Sequence, residues 1–278
     1  AACVDDQTDA LTRTGWKDGN ALQVGDEILA YDPETDTCVW QPVQSVQRYQ
    51  YEGPLCVLEN ESISARTTEN HRWPTFSKKV WGKGRKLFRE RTSKTLSNSD
   101  YLPLARLTQD RDGPDLSLDF CELLGWIFTD GCYNKSQATG VWLYQSKDAK
   151  PQHYQRLKEL VDRLGFPYRE DVCNPNNIKG HSCRRFSIGG EVSKQIRALV
   201  PSRKEVPFEF ISSLSNAQLE RVLAGMLLGD GTHYANGERR LGTSYRHVAA
   251  VVQMICTILG ITPTANRYAM PEKYATGE

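Results

Sequence analysis

Leu123–Gly131 reads LLGWIFTDG, and one hundred residues later Leu223–Gly231 reads LAGMLLGDG. Both are apolar helical runs that end in Asp-Gly. Leu123–Phe128 and Val222–Leu228 are apolar or glycine at every position, so neither helix has a polar stripe to offer water. Helices of this composition are buried on all sides. Each is far shorter than the about 20 apolar residues needed to cross a bilayer, so the cover must be protein, and the natural cover is each other. Gly125 in one run, with Ala224 and Gly225 in the other, removes side-chain bulk from one face and predicts a close approach of two backbones.

The echo extends past the helices, as a duplication requires. After Asp130-Gly131 come a β-like run, Thr139–Gln145, and a helical pattern from Pro151 with Tyr154, Leu157, Leu160, Val161 and Leu164 on one side, stopped by Gly165. After Asp230-Gly231 come Arg239–Ser244 and then Val248, Val251, Val252, Ile255 and Leu259, stopped by Gly260. The first copy is completed by Arg184–Ile188, a helix near Glu191–Leu199, and Lys204-Glu205-Val206-Pro207. Ser117 is placed to cap the first apolar helix, and Ser215 with Gln218 forms a capping box ahead of the second.

Residues before this pair have another character. From Cys3 to Leu104 short β-type runs alternate with turn signals, as in Glu27–Tyr31 before Asp32-Pro33 and Leu55–Leu58 after Gly53-Pro54, which predicts an all-β unit. A polar stretch ending in Gly113-Pro114 separates it from the helical region. At 278 residues, 39% of them hydrophobic, the chain can fill two cores. It shows no leader pattern and no transmembrane run, and its eight cysteines include no CxxC pair, so a reduced, intracellular and cytoplasmic protein is expected. Net charge is +1, but residues 1–115 hold 15 Lys+Arg against 18 Asp+Glu while residues 116–278 hold 20 against 16, so the basic part is the second one. That excess suits a polyanion without demanding one. The basic run of Lys78, Lys79, Lys83, Arg85, Lys86, Arg89, Arg91 and Lys94 suits a solvated edge and a nucleic-acid contact equally.

The ordered set CVDDQTDALTRTGWKDGNALQVGDEILAYDP from Cys3, then Thr68-Glu69-Asn70-His71, then SDYLPLA from Ser99, resembles the amino-terminal splicing region of inteins, the Hint fold. The resemblance covers residues 3–105 and implies that Cys3 is the first intein residue, with Ala1 and Ala2 left from the flanking extein. Where the family commonly has Gly-Asp-Thr after the cysteine, this chain has Asp6-Gln7-Thr8. The paired LLGWIFTDG and LAGMLLGDG helices resemble those of the LAGLIDADG homing endonucleases. The implied protein is multidomain. Residues 1–2 are extein remnant, 3–105 an all-β horseshoe Hint domain, 106–117 a linker, and 118–278 an α+β endonuclease domain. That domain would hold two pseudo-twofold αββαββα-type repeats, about 118–210 and 215–278, the second incomplete.

What the resemblance implies for chemistry follows from these residue types. The Cys3 thiol attacks the Ala2 carbonyl and converts the amide to a thioester, His71 donates a proton to the departing nitrogen, and Thr68 holds and polarises the peptide. Asp130 and Asp230 meet at two helix carboxyl ends, where the macrodipole disfavours a carboxylate by about 0.3 to 1 kcal/mol each, an arrangement that a divalent cation, Mg2+, would relieve. Lys204 takes the role of charge stabiliser or water activator from the family's KxxP position. Strands of both copies would form a saddle on double-stranded DNA, with Gln145, Lys147, Arg184, Arg239 and Arg240 as candidate contacts, though solvated strand ends explain these equally well. Cys173, His181 and Cys183 lack a fourth ligand at a plausible spacing and read as loop residues. Family members end in a strand pair with a His-Asn terminus, whereas this chain ends at Thr276-Gly277-Glu278. An amino-terminal portion is therefore expected, shortened or split and docking with a separate carboxyl-terminal intein fragment. Two alternatives stay open: a splicing-only intein with a decayed, DNA-binding or structural endonuclease domain, and a Hint autoprocessing domain outside the inteins.

Overall fold

The computed structural model describes residues 3–77, 88–133, 140–173, 183–202 and 205–266. The chain is a mixed α/β protein with several small antiparallel sheets. It divides into two compact units, one made of Ala1–Thr12, Trp16–Leu107 and Cys256–Glu278, the other of Arg13–Gly15 and Thr108–Ile255. Among the described residues no helix is long and apolar enough to cross a membrane.

The first unit contains short strands and tight turns. Strands β1 (Ala10–Thr12), β2 (Gly15–Lys17), β3 (Glu27–Asp32) and β4 (Thr37–Pro42) form a sheet in the order β2-β1-β3-β4. β5 (Leu55–Glu59) pairs antiparallel with β6 (Ser64–Thr68), and β7 (Arg72–Ser77) lies between β8 (Phe88–Thr92) and β9 (Asp100–Tyr101). Turn chemistry explains the joints. Asp18 accepts from the amides of Asn20 and Ala21, and Asn60 accepts from those of Ser62 and Ile63, so side chains close the loops that the backbone leaves open.

In the second unit, α1 (Leu118–Asp130) is followed by β10 (Gly131–Tyr133), β11 (Val141–Ser146), α2 (Pro151–Leu164), β12 (Tyr168–Val172), β13 (Cys183–Ile188) and α3 (Gly190–Leu199). The sheet order is β10-β11-β13-β12, all antiparallel. After the short α4 (Phe208–Ser213), the second stretch runs α5 (Asn216–Gly229), the hairpin β14 (Gly231–His233) with β15 (Arg239–Leu241), and α6 (Arg246–Ile258).

The axis of this unit is the crossing of α1 and α5. Ser117 caps α1 through the amide of Phe120, and Ser215 with Gln218 forms a capping box on α5. Leu123, Leu124, Trp126 and Ile127 have no exposed surface, and burial of side chains of that size contributes about 1.5 to 3 kcal/mol each. The crossing is close because both helices are bare there. A Cβ on Gly125 would collide with the Val222 carbonyl oxygen, and one on Gly225 with that of Glu122.

Within the polar stretch 106–117, three backbone carbonyls meet the start of α5. The Gln218 side chain donates to the carbonyls of Pro114 (2.8 Å) and Leu116 (2.9 Å), and Asn216 donates to that of Thr108 (2.9 Å). Its polarity satisfies the start of α5 as well as solvent.

Candidate functional site

The candidate residues gather at two places, one in each unit. In the first, residues 65 positions apart are stitched together. The Cys3 amide donates to Thr68 Oγ1 (3.0 Å), and the Thr68 amide donates to the Cys3 carbonyl (3.0 Å). Flanking contacts extend the pairing, with a Val4–Thr67 bridge and the Asp5 amide on the Arg66 carbonyl (2.9 Å). The amino-terminal segment thus lies along β6 as an extra strand. The Thr68 hydroxyl is oriented in turn by Asn70 Oδ1 at 2.9 Å.

His71 follows one turn later, its amide donating to the Thr68 carbonyl (3.0 Å). Its ring meets Trp73 edge-on at 4.8 Å, and its Nδ1 is buried without a hydrogen-bond partner among the described residues. An unpartnered buried imidazole nitrogen is costly unless a ligand or substrate atom meets it. Burial also pushes the His71 pKa down, so the resting ring is neutral and its protonated form is a stronger acid than free imidazole. Beneath it, Thr67 and Ser93 hydroxyls meet at 2.7 Å and Ser93 also accepts from Trp73 Nε1 (2.9 Å), a satisfied polar base that fixes the loop. Ala2, the residue before Cys3, lies outside the described residues.

The second place is where α1 and α5 end. Each ends abruptly in a strand, and glycine is required there for space. A Cβ on Gly131 would strike the Ile127 carbonyl oxygen, and one on Gly231 that of Leu227. A Cβ on Gly229 would meet the Thr129 hydroxyl and lie 3.3 Å from Asp130 Oδ2, so the Asp130 carboxylate stands over Gly229 in the last turn of α5. Gln145 Nε2 is 3.5 Å from Asp130 Oδ2. From the start of α2, Lys150 Nζ donates to the Gly229 carbonyl (3.2 Å), and the His153 ring hydrogen-bonds the Leu228 carbonyl. A cation and an imidazole on bare helix-end carbonyls offset the negative pole that the two aspartates face. Burial, then the neighbouring Lys150 ammonium, push the His153 pKa down.

Two carboxylates on adjoining helix ends make a hard oxygen set. Among the described residues no group of three His, Cys, Asp or Glu gathers to hold a metal, so an all-protein cage does not fit. Mg2+ held by one or two carboxylates, with water and phosphate oxygens completing its shell, does fit. Lys204 lies outside the described residues, as does His181.

The candidate DNA contacts lie in different settings. β11 alternates buried and part-exposed residues, so Gln145 shares the helix-facing side with Val141 and Leu143 and is 5% exposed; it serves Asp130 instead of reaching outward. Arg184 is opposite Gln145 in register, on that same side, 3.8 Å from Glu170. Lys147 is exposed, over the Tyr154 ring at 5.7 Å. Arg239 and Arg240 are exposed on β15, with Arg240 bound to Glu238 at 2.6 Å.

The open side of the sheet instead carries Trp142, Tyr144, Arg185 and Arg169, with Arg185 stacked on Trp142 at 4.9 Å and tied to Asp171 at 2.9 Å. The period-two pattern of WLYQS marks Trp142 and Tyr144 as outward once Val141 and Leu143 are taken as inward. No protein-family model matches the chain, and no curated protein matches it.

Proposed function

We propose that this chain is an intein-type protein-splicing element that carries a LAGLIDADG-type DNA endonuclease. The observation that carries the reading is the double tie between Cys3 and Thr68 with His71 one turn away. The nitrogen of the bond to be broken is the Cys3 amide nitrogen, which Thr68 holds at 3.0 Å. In the acyl shift the Cys3 sulfur adds to the Ala2 carbonyl carbon and the carbon–nitrogen bond breaks. The neutral His71 ring takes up the proton that the thiol loses and returns it to the Cys3 nitrogen, leaving a thioester to Ala2.

The endonuclease reading is supported by the aspartates at the adjoining α1 and α5 ends, by Lys150 beside those ends, and by the Arg- and Trp-bearing open side of the sheet. Asp130 and Asp230 would hold Mg2+, which supplies charge stabilisation and an activated water at a DNA phosphate. Gln145 orients Asp130, and Lys150 balances the carboxylates. The substrate is double-stranded DNA, and the flanking exteins are the substrates of splicing.

The test uses the chain with a longer flank before Cys3, incubated with dithiothreitol. Thiol exchange releases the flank from the thioester, and Cys3→Ala abolishes release. A flank that stays attached in both proteins defeats the splicing half. For the nuclease half, Mg2+-dependent cutting of the intein-less host gene is expected; equal cutting by Asp130→Asn and Asp230→Asn proteins defeats it.

A further inference from the structure

We propose that Cys173 and Cys183 are a redox-responsive pair that closes into a cross-strand disulfide at the open end of the β12–β13 ladder. Asp171 pairs with Arg185 and Val172 with Arg184, and the Cys173 amide continues the ladder onto the Cys183 carbonyl at 3.0 Å, which sets the two cysteines opposite each other. Directly opposed residues on antiparallel strands have Cα atoms about 4.5 to 5.5 Å apart, inside the about 4.4 to 6.8 Å that a disulfide spans. Their side chains share the open face of the sheet with Arg185, and the two thiols are hydrogen-bonded to each other. Both residues are free and half-buried, so a small oxidant reaches them. Burial pushes the Cys183 thiol up, so its attack on an oxidant is slow near neutral pH.

The oxidant class is a low-molecular-weight disulfide such as oxidised glutathione. One cysteine thiol, losing its proton, attacks it and expels one glutathione thiolate, which takes up a proton. The second cysteine then attacks the mixed disulfide and expels the other. Two protein thiols are oxidised and one glutathione disulfide is reduced to two thiols. In a reducing compartment the pair stays open, and the bridge marks an oxidative episode.

Trypsin cuts after Lys179 and so separates the two cysteines, into peptides 170–179 and 180–184. After treatment of the full chain with oxidised glutathione, alkylation and non-reducing digestion, mass spectrometry is expected to find these two peptides joined, two hydrogens lighter than their sum. The linkage disappears in Cys173→Ser and in Cys183→Ser and persists in Cys132→Ser. Alkyl labels on both cysteines at the level of the untreated chain, stable glutathione adducts alone, or a bridge from either residue to Cys132 would overturn the assignment. The test does not depend on splicing or nuclease activity.

Discussion

At the end of α1, Asp130 is half-buried and has Gln145 beside it, whereas at the end of α5 Asp230 is exposed and begins a two-stranded hairpin. Around α1 the chain builds a four-stranded sheet with β11 buried on one side, while β14 and β15 are exposed along most of their length. The polar support for the second helix end comes from the first copy, through Lys150 and His153. A duplicated motif therefore fixes the axis of the unit, and sequence outside the motif decides the chemistry at its ends. The buried charge differs too. Glu122, 1% exposed, is bound by both arms of Arg156 and approached by Arg221 at 3.6 Å, while Val222 stands at the matching place in the second helix.

The largest loss is expected at the axis the two helices share. Gly125→Leu and Gly225→Leu each drive a side chain into a facing backbone, and each is expected to cost about 4 kcal/mol or more, read as loss of the thermal transition of the second unit. The helix ends come next. Asp130→Asn and Asp230→Asn are each expected to lower DNA cleavage by about 10²- to 10³-fold with folding retained, read by cleavage rate at saturating Mg2+ and by circular dichroism.

Smaller in effect, Arg156→Ala leaves the buried Glu122 with only the single longer contact to Arg221 at 3.6 Å, at an expected cost of about 3 kcal/mol. Glu122→Val with Arg156→Leu makes the first helix like the second and is expected to recover most of that loss in a denaturant titration.

The smallest effect is in pH. His71 and His153 both have pKa values lowered from 6.5, so between the folded and unfolded values the unfolded chain binds more protons. Their contribution to stability is present above pH 6.5 and is lost as pH falls towards the folded values. His153→Gln is expected to flatten the acid side of a stability profile of the second unit, and His71→Gln that of the first.

Part of this was legible in the residues. A face stripped to Gly125, Ala224 and Gly225 has a steric meaning that needs no partner to be read, and Ser117, Ser215 and Gln218 announce helix starts through local hydrogen bonds. Period two in Val141–Ser146 also places Gln145 on the buried side with Val141 and Leu143. Lys150 and His153 were invisible because they meet α5 residues more than seventy positions away, and no local pattern encodes such a contact. Glu122 was hidden for a related reason: beside an apolar run it reads as a polar helix start, and only Arg156 on another helix makes its burial tolerable. Cys3 and Thr68, 65 residues apart, were joined only by resemblance to inteins.

The most direct test of the central claim is the rate of thiol-induced flank release before Cys3, compared across the unaltered chain, Thr68→Ala and Cys3→Ala. Release is expected from the unaltered chain, slowed about 10²-fold or more when Thr68 is removed, and absent without Cys3. Release at one rate in all three proteins would contradict it.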